Sequence, residues 1–243
     1  MLVAVLGDIH SNLPALEQVL KSVRQEKVDK IYCTGDIVGY GPYPAECIEI
    51  IQDNNINCVA GNHDFAVIDM VNTSFFTDSA KEVIEYTKSE LSDSDKEFLE
   101  NLPLYISDNG LNIVHSSFSH PELFEYIIEP NDIIECFMNL GSQIGFFGHT
   151  HFFIIYLKKS EDINDYVEIS ENILHFNEEK LLINSGTVGQ PRDGNVDSGY
   201  LLLDTDKKVV FIKRIPYDYR KTIEEMKRKN FPLKLTERLL VGI

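Results

Sequence analysis

The chain has little of several things, and each shortage narrows what it does. Its four cysteines, Cys33, Cys47, Cys58 and Cys136, form no C-x-x-C pair. Three lie in apolar runs and Cys47 among the apolar positions of a helix, so all four are expected as small core residues in a reducing compartment, not a disulfide framework. Basic residues are scarce: 22 Lys and Arg stand against 39 Asp and Glu, a net charge of −17. Such a surface repels duplex nucleic acid and anionic membrane. It also repels a phosphate substrate unless cations inside the site reverse the local field. No run approaches the ~20 apolar residues of a membrane span. The opening run Leu2-Val3-Ala4-Val5-Leu6 stops at Gly7-Asp8, too soon for a signal peptide. A soluble cytoplasmic protein is expected. Repeats, low-complexity tracts and linkers are lacking too, so residues 1–243 are taken as one domain.

What is present is an adequate apolar complement, 43% of residues, and a recurring local design. A short apolar strand ends, the chain turns, and an Asp, Asn or His follows. The clearest case is Thr34-Gly35-Asp36-Ile37-Val38-Gly39 after the strand 30–33. Asp8 and His10 follow strand 2–6; Asn62, His63 and Asp64 follow 57–60; His115 ends 111–114; His149 and His151 follow 144–147. Open α/β sheets bind ligands at the carboxyl ends of their strands, where such residues are delivered.

Between these points the spacing predicts helices. Asn12 caps a helix with Pro14 in its first turn, and Leu13, Leu16, Leu20 and Val23 keep one face to about residue 26. Pro44 starts a second helix carrying Ile48 and Ile51. Strand–helix–strand–helix–strand favours a parallel sheet with right-handed crossovers. Residues 65–101 turn polar and acidic and read as a helical excursion flanking the site. It holds a helix over 81–91 and a second opened by a Ser94/Glu97 capping box and closed by Pro103. Asp108-Asn109-Gly110 marks a hairpin between strands 104–107 and 111–114. A helix near 130–140 precedes the strand before His149. Beyond it come strands at 152–157, 181–184, 200–204 and 208–215, with turn chemistry at Asp204-Thr205-Asp206-Lys207. Residues 158–180 read as a surface excursion, and 218–230 as a charged helix whose Glu224, Glu225 and Lys227-Arg228-Lys229 face solvent. An exposed face on the C-terminal strands could pair two copies into a homodimer.

Asp8, His10, Asp36, Asn62, His115, His149 and His151 offer imidazole, carboxylate and amide donors, which suit Mn, Fe, Zn, Co or Ni. Seven ligands exceed what one ion needs. Two ions bridged by Asp36 fit the count, because one carboxylate can satisfy both cations. Paired ions ~3.5–4 Å apart are the usual device for hydrolysing phosphate esters.

The series Gly7-Asp8-Ile9-His10, Gly35-Asp36, Gly61-Asn62-His63-Asp64, His115 and Gly148-His149-Thr150-His151 resembles the calcineurin-like metallophosphoesterases. These show D-x-H, G-D, G-N-H-D/E, a His and G-H-x-H in that order. The resemblance, to the small bacterial and archaeal phosphoesterase branch, implies an α/β fold of two β-sheets sandwiched and flanked by helices. It implies one metal on Asp8, His10, Asp36 and His151 and a second on Asp36, Asn62, His115 and His149, with manganese foremost and Fe, Zn, Ni, Co or Mg as other occupants. It places His63 over the substrate as general acid or transition-state donor, with Asp64 either orienting it or capping the following helix, and gives Asn62 a share in substrate binding. The implied activity is hydrolysis of a phosphodiester or phosphomonoester of a small molecule or nucleotide by metal-bound hydroxide. The stretch Asn184–Asp193 resembles the same branch, and its Arg192 is the local cation for substrate phosphate, set against pairing with Asp193 or Asp197. Gly39-Tyr40-Gly41 stands where the protein phosphatases carry the Asp and Arg of G-D-x-V-D-R-G, which argues against a phosphoprotein substrate. A symmetrical dinucleoside polyphosphate hydrolase and a noncatalytic metal-binding scaffold are the alternatives. His120 and His175 fall outside the motifs and are read as surface residues; Tyr40 and Tyr43 are read as packing residues.

Overall fold

The computed structural model describes all residues except 161, 163, 164 and 170. Two six-stranded sheets lie face to face. The first begins with β1 (Leu2–Leu6), β2 (Lys30–Cys33) and β3 (Asn57–Cys58), parallel and joined by α1 (Leu13–Glu26) and α2 (Pro44–Asp53). The second contains β4 (Tyr105–Asp108), β5 (Leu111–Val114), β6 (Ile144–Phe147), β7 (Phe153–Lys158) and β8 (Tyr166–Ile169), followed in the chain by β9 (Ile173–His175) and β10 (Lys180–Ser185). After β11 (Ser198–Asp204) and β12 (Val209–Ile215) the orders are β3-β2-β1-β11-β12-β9 and β4-β5-β6-β10-β7-β8. β5, β6 and β10 run parallel to one another, while β11, β12 and β9 extend the first sheet antiparallel.

β1 shows why its run is apolar without alternation. Val3 and Val5 point into the core between the sheets with Tyr32, Leu201, Phe146, Ile155 and Ile183. Ala4 and Leu6 point the other way, onto Leu16, Leu20 and Ile48 of the helices. A strand buried on both faces has no polar side to show. On the outer face of the second sheet α6 (Pro130–Asn139) brings Ile133, Cys136 and Phe137 onto Val114, Phe147 and Leu182. Helix, sheet, sheet and helix make a four-layer α/β sandwich, the expected fold class.

Local signals act as read. The Asn12 side chain accepts from the Ala15 N–H, a cap that contributes about 1 kcal/mol. Asn109 and Gly110 both have positive φ, 50° and 75°, as a two-residue hairpin between Asp108 and Leu111 requires. All four cysteines are buried and free. No helix is long and apolar enough to cross a membrane, among the described residues.

Three expectations need correction. Residues 158–180 are not only a surface excursion: β8 and β9 lie there and form edges of both sheets, though 161, 163, 164 and 170 lie outside the described residues. Both strands are only four and three residues long and none of their residues is fully buried, so the period-two signal is faint. The capping box of α5 (Asp93–Glu100) is Ser92 with Asp95, not Ser94 with Glu97, because Asp can serve at the third helical position where the pattern prefers Glu. The last helix is followed by another: α7 (Tyr219–Arg228) packs on α8 (Leu233–Val241), with Ile223, Met226, Leu235 and Leu239 between them. The excursion after β3 holds α3 (Asn62–Ala66), α4 (Asp78–Glu90) and α5, and its Phe76 reaches the site.

Candidate metal centre

Every candidate ligand leaves the carboxyl end of a strand in a parallel set: β1, β2 and β3 in one sheet, β5 and β6 in the other. The loops are stitched together through backbone. Asp8 N–H donates to Gly35 O at 3.0 Å, His10 N–H to Asp36 O at 2.9 Å and Gly148 N–H to His115 O at 2.9 Å. Five of the seven candidate ligands have left-handed φ: Asp8 49°, His10 48°, Asp36 54°, His149 69° and His151 66°. For side chains with a Cβ this costs of order 1–3 kcal/mol each and persists only where surroundings over-determine it. The interlocked backbone supplies that constraint, and the kinks turn the side chains inward.

The seven residues converge and all are buried, none more than 8% exposed. His10 Nε2 lies 3.1 Å from His151 Nε2, which lies 3.2 Å from Asp8 Oδ1. The other nitrogen of each imidazole faces a backbone carbonyl: His10 Nδ1 donates to Val38 O at 3.1 Å, His151 Nδ1 to Gln190 O at 2.7 Å. A carbonyl can only accept, so the proton of each neutral ring is fixed there. Burial, foremost, holds both rings below the ordinary histidine range, hence neutral. Two bare lone pairs therefore face each other across 3.1 Å beside two carboxylates, an arrangement that repels itself unless a cation lies between. His115 repeats the theme. Its Nδ1 donates to Thr34 O at 2.7 Å, and its Nε2 meets Asn62 Oδ1 at 3.1 Å, His149 Nδ1 at 3.0 Å and Asp36 Oδ2 at 3.5 Å. Donor spacings of 3.0–3.2 Å match the roughly 3.0 Å edge of a coordination shell with ~2.1 Å bonds. Asp8, His10 and His151 form one such group, and Asp36, His115 and His149 another. The donor set fits divalent first-row metals.

Asp36 sits between the groups. Burial, then the Asp64 and Asp8 carboxylates, pushes its carboxyl well above the usual range. Its Oδ1 accepts the His63 N–H at 2.8 Å, and its Oδ2 lies 3.6 Å from His10 Nε2. A side chain at residue 61 would put its Cβ 2.1 Å from Asp36 Oδ1, so Gly61 is required by this approach.

His63 borders the cleft, its ring against Tyr40 at 4.5 Å, His10 at 4.9 Å and Phe76 at 5.1 Å. Burial, then His151 and Arg192, lowers its proton affinity well below the ordinary range. Its Nδ1 has no hydrogen-bond partner among the described residues. Asp64 does not orient it. The Asp64 oxygens accept from Gly61 N–H at 2.9 Å and Val38 N–H at 3.1 Å, which is the capping alternative, and burial raises this carboxyl to about 7. Arg192 borders the same cleft, is braced by Gln190 Oε1 at 3.0 Å and stands 5.8 Å from the Tyr40 ring centroid. Asp193 pairs with Arg214 instead. His120 is exposed beside Glu122, and His175 lies exposed on β9.

Two sets of residues were not read from sequence. Thr34, Val38 and Gln190 act through carbonyl oxygens, which leave no trace in side-chain identity. Asn184 and Thr187 tie the last loop to the site: the Asn184 amide donates to Gly148 O at 2.9 Å and Thr187 Oγ1 to Asp8 O at 2.7 Å. The second set is an apolar rim, with Phe75, Phe76, Leu123, Phe124 and Tyr126 around a cleft of about 450 Å³. Tyr126 stacks on His149, centroids 3.9 Å apart.

A four-layer sandwich with this donor set at its strand ends defines a metallophosphoesterase-type protein. The chain belongs to the calcineurin-like phosphoesterase superfamily, whose domain model matches residues 1–208. An uncharacterized protein of Methanocaldococcus jannaschii is 38% identical over 246 residues, 99% of this chain and 98% of that one. The crystal structure of a metallophosphoesterase from Sphaerobacter thermophilus is 33% identical, with a TM-score of 0.88 covering 100% of this chain and 99% of the other. A hypothetical protein from Pyrococcus horikoshii shares the fold at TM-score 0.78 and 21% identity, covering 100% and 98%. Symmetrical bis(5'-nucleosyl)-tetraphosphatase of Actinobacillus pleuropneumoniae is 34% identical over 67 residues, 26% of this chain and 25% of that protein.

Proposed function

We propose that the protein is a cytoplasmic phosphoesterase using two divalent metal ions, acting on a small phosphorylated molecule or nucleotide. The observation that carries this reading is the pair of lone pairs facing each other at His10 and His151, repeated around His115, with Asp36 between the groups. Asp8, His10, Asp36 and His151 would hold one ion, and Asp36, Asn62, His115 and His149 the other. When bound, the ions supply activation of water and stabilisation of charge on the attacking and leaving oxygens.

The chain's own residues do the rest. Arg192 receives non-bridging phosphate oxygens, and the Asn62 amide shares that contact. His63 donates a hydrogen bond to the departing oxygen. Its lowered proton affinity favours a neutral N–H donor over a fully charged acid. Symmetrical dinucleoside polyphosphate hydrolysis is the second reading, favoured by the 67-residue likeness alone. The deciding experiment adds Mn, Ni, Co, Zn or Mg singly to metal-stripped protein, with bis-p-nitrophenyl phosphate, p-nitrophenyl phosphate and diadenosine tetraphosphate as substrates. Metal-dependent turnover of the first two supports the proposal. Two ions bound without turnover of any substrate would turn the reading to a noncatalytic scaffold.

A further inference from the structure

The rim of the cleft differs from the rest of the surface. Of the thirteen exposed large apolar side chains among the described residues, four line this one cleft: Met70, Phe75, Leu123 and Tyr126. Phe75 is 94% exposed. Single exposed apolar residues are ordinary, but several converging on one concavity mark a binding surface. They come from two separate segments, the short 3₁₀ turns Thr73–Phe75 and Pro121–Leu123 and their neighbours. The first is tied to the leaving-group side, because Phe76 packs on His63.

The charge on the same lining is sparse. Among the described residues, Arg192 is its one Lys or Arg side chain, and the Glu122 charge opposes it. Site metals would answer one phosphoryl group. A run of further phosphates would meet an apolar wall, the Glu122 carboxylate and a chain of net charge −17.

We infer that the substrate is a low-charge phosphate ester whose leaving group is a flat apolar or aromatic moiety, seated on Phe75 beside His63. This rests on the phosphoesterase reading and narrows it: polyphosphate chains are disfavoured. Burying an aromatic face against Phe75 supplies affinity from non-directional contact, which the metals cannot provide.

The test uses full-length protein reconstituted with Mn and measures binding of four probes by calorimetry. Inorganic phosphate reaches metals and Arg192 without touching the wall. Ethyl methylphosphonate and 1-naphthyl methylphosphonate carry the same charge and differ only in the ester group. Tetrapolyphosphate supplies the charged alternative. We expect the naphthyl ester to bind about ten-fold tighter than the ethyl ester, and Phe75→Ser to erase that preference. Phe75 is exposed, so its replacement leaves the core intact. Equal binding of the two esters, or tetrapolyphosphate binding tightest, overturns this inference while leaving the phosphoesterase reading standing. A preference that survives in Phe75→Ser overturns the seat on Phe75, and one that survives in Leu123→Ser as well overturns the apolar wall as the binding surface. No binding of any probe, phosphate included, to protein carrying two Mn ions overturns the phosphoesterase reading and this inference with it.

Discussion

The floor and the rim of the cleft follow opposite rules. Floor residues are polar and buried, carry left-handed backbone at five candidate ligands, and fasten three of their imidazoles to main-chain carbonyls. Rim residues such as Phe75 and Leu123 are apolar, exposed and set on short 3₁₀ turns. On the two-metal reading the floor tolerates no adjustment, because each donor would have to meet a fixed charge. The rim can be reshaped, because apolar contact has no preferred direction. On the proposed reading, the floor sets the chemistry and the rim sets which organic group fits beside it.

The contrast is broken most directly at Asp36. Asp36→Asn removes the carboxylate between the two donor groups. Turnover should fall by 10²–10³-fold or more, the scale of losing a central electrostatic group, and metal analysis should show fewer than two ions per chain. Full occupancy with retained turnover would show that the groups do not share this residue. His63→Asn comes next. Its kcat should fall by about 10²–10⁴-fold with both ions retained, which separates proton donation from metal binding. Loss of the ions in that variant would make His63 a structural part of the floor.

Gly39→Ala tests how the floor positions a side chain without a hydrogen bond. Gly39 has φ +90°, and an added Cβ would stand 2.4 Å from His63 Nδ1. Ring packing by Tyr40 and Phe76 would have to give way. We expect kcat to drop about ten-fold and stability to fall by roughly 1–2 kcal/mol from the unfavourable φ. A stability loss with unchanged kcat would show that His63 tolerates displacement.

The same contrast governs what could be read before the structure. The floor is legible because its donors must be Asp, Asn or His and must leave strand ends after tight turns, so Asp8-Ile9-His10 and His149-Thr150-His151 carry both chemistry and position. Asp64 shows the limit. Its motif position suggested a partner for His63, yet Gly61 and Val38 N–H groups need acceptors, and main-chain demand leaves no mark on sequence. The rim is illegible for another reason. Phe75 and Leu123 sit in short irregular stretches, each directly followed by a Phe, and an adjacent apolar pair outside an α-helix or strand has no periodicity to betray which of the two faces solvent. β8 and β9 escaped notice because three- and four-residue strands with exposed faces look like loops.

The smallest expected effect lies away from the floor, and it checks that effects there are local. Asp108 on β4 accepts from Lys30 and Tyr32 on β2, linking the two sheets by side chains. The Lys30 hydrogen bond, then that of Tyr32, lowers the Asp108 carboxyl below its usual range. A depressed folded-state value means the unfolded chain binds the proton more readily. The contribution is therefore present above the ordinary aspartate range and is lost as pH falls through the folded value. Asp108→Asn should lower the urea midpoint slightly at pH 7, less so at high salt, and the gap should close as pH is stepped below 4. Adding metal should raise the midpoints of wild type and variant equally, since ligand binding to the native state adds to stability independently of a distant pair. A gap that persists in acid would assign the link to packing of Tyr32 instead of charge. A gap that changes with metal would mean that the sheet-to-sheet link and the donor loops move together, and the floor would then extend further than its ligands.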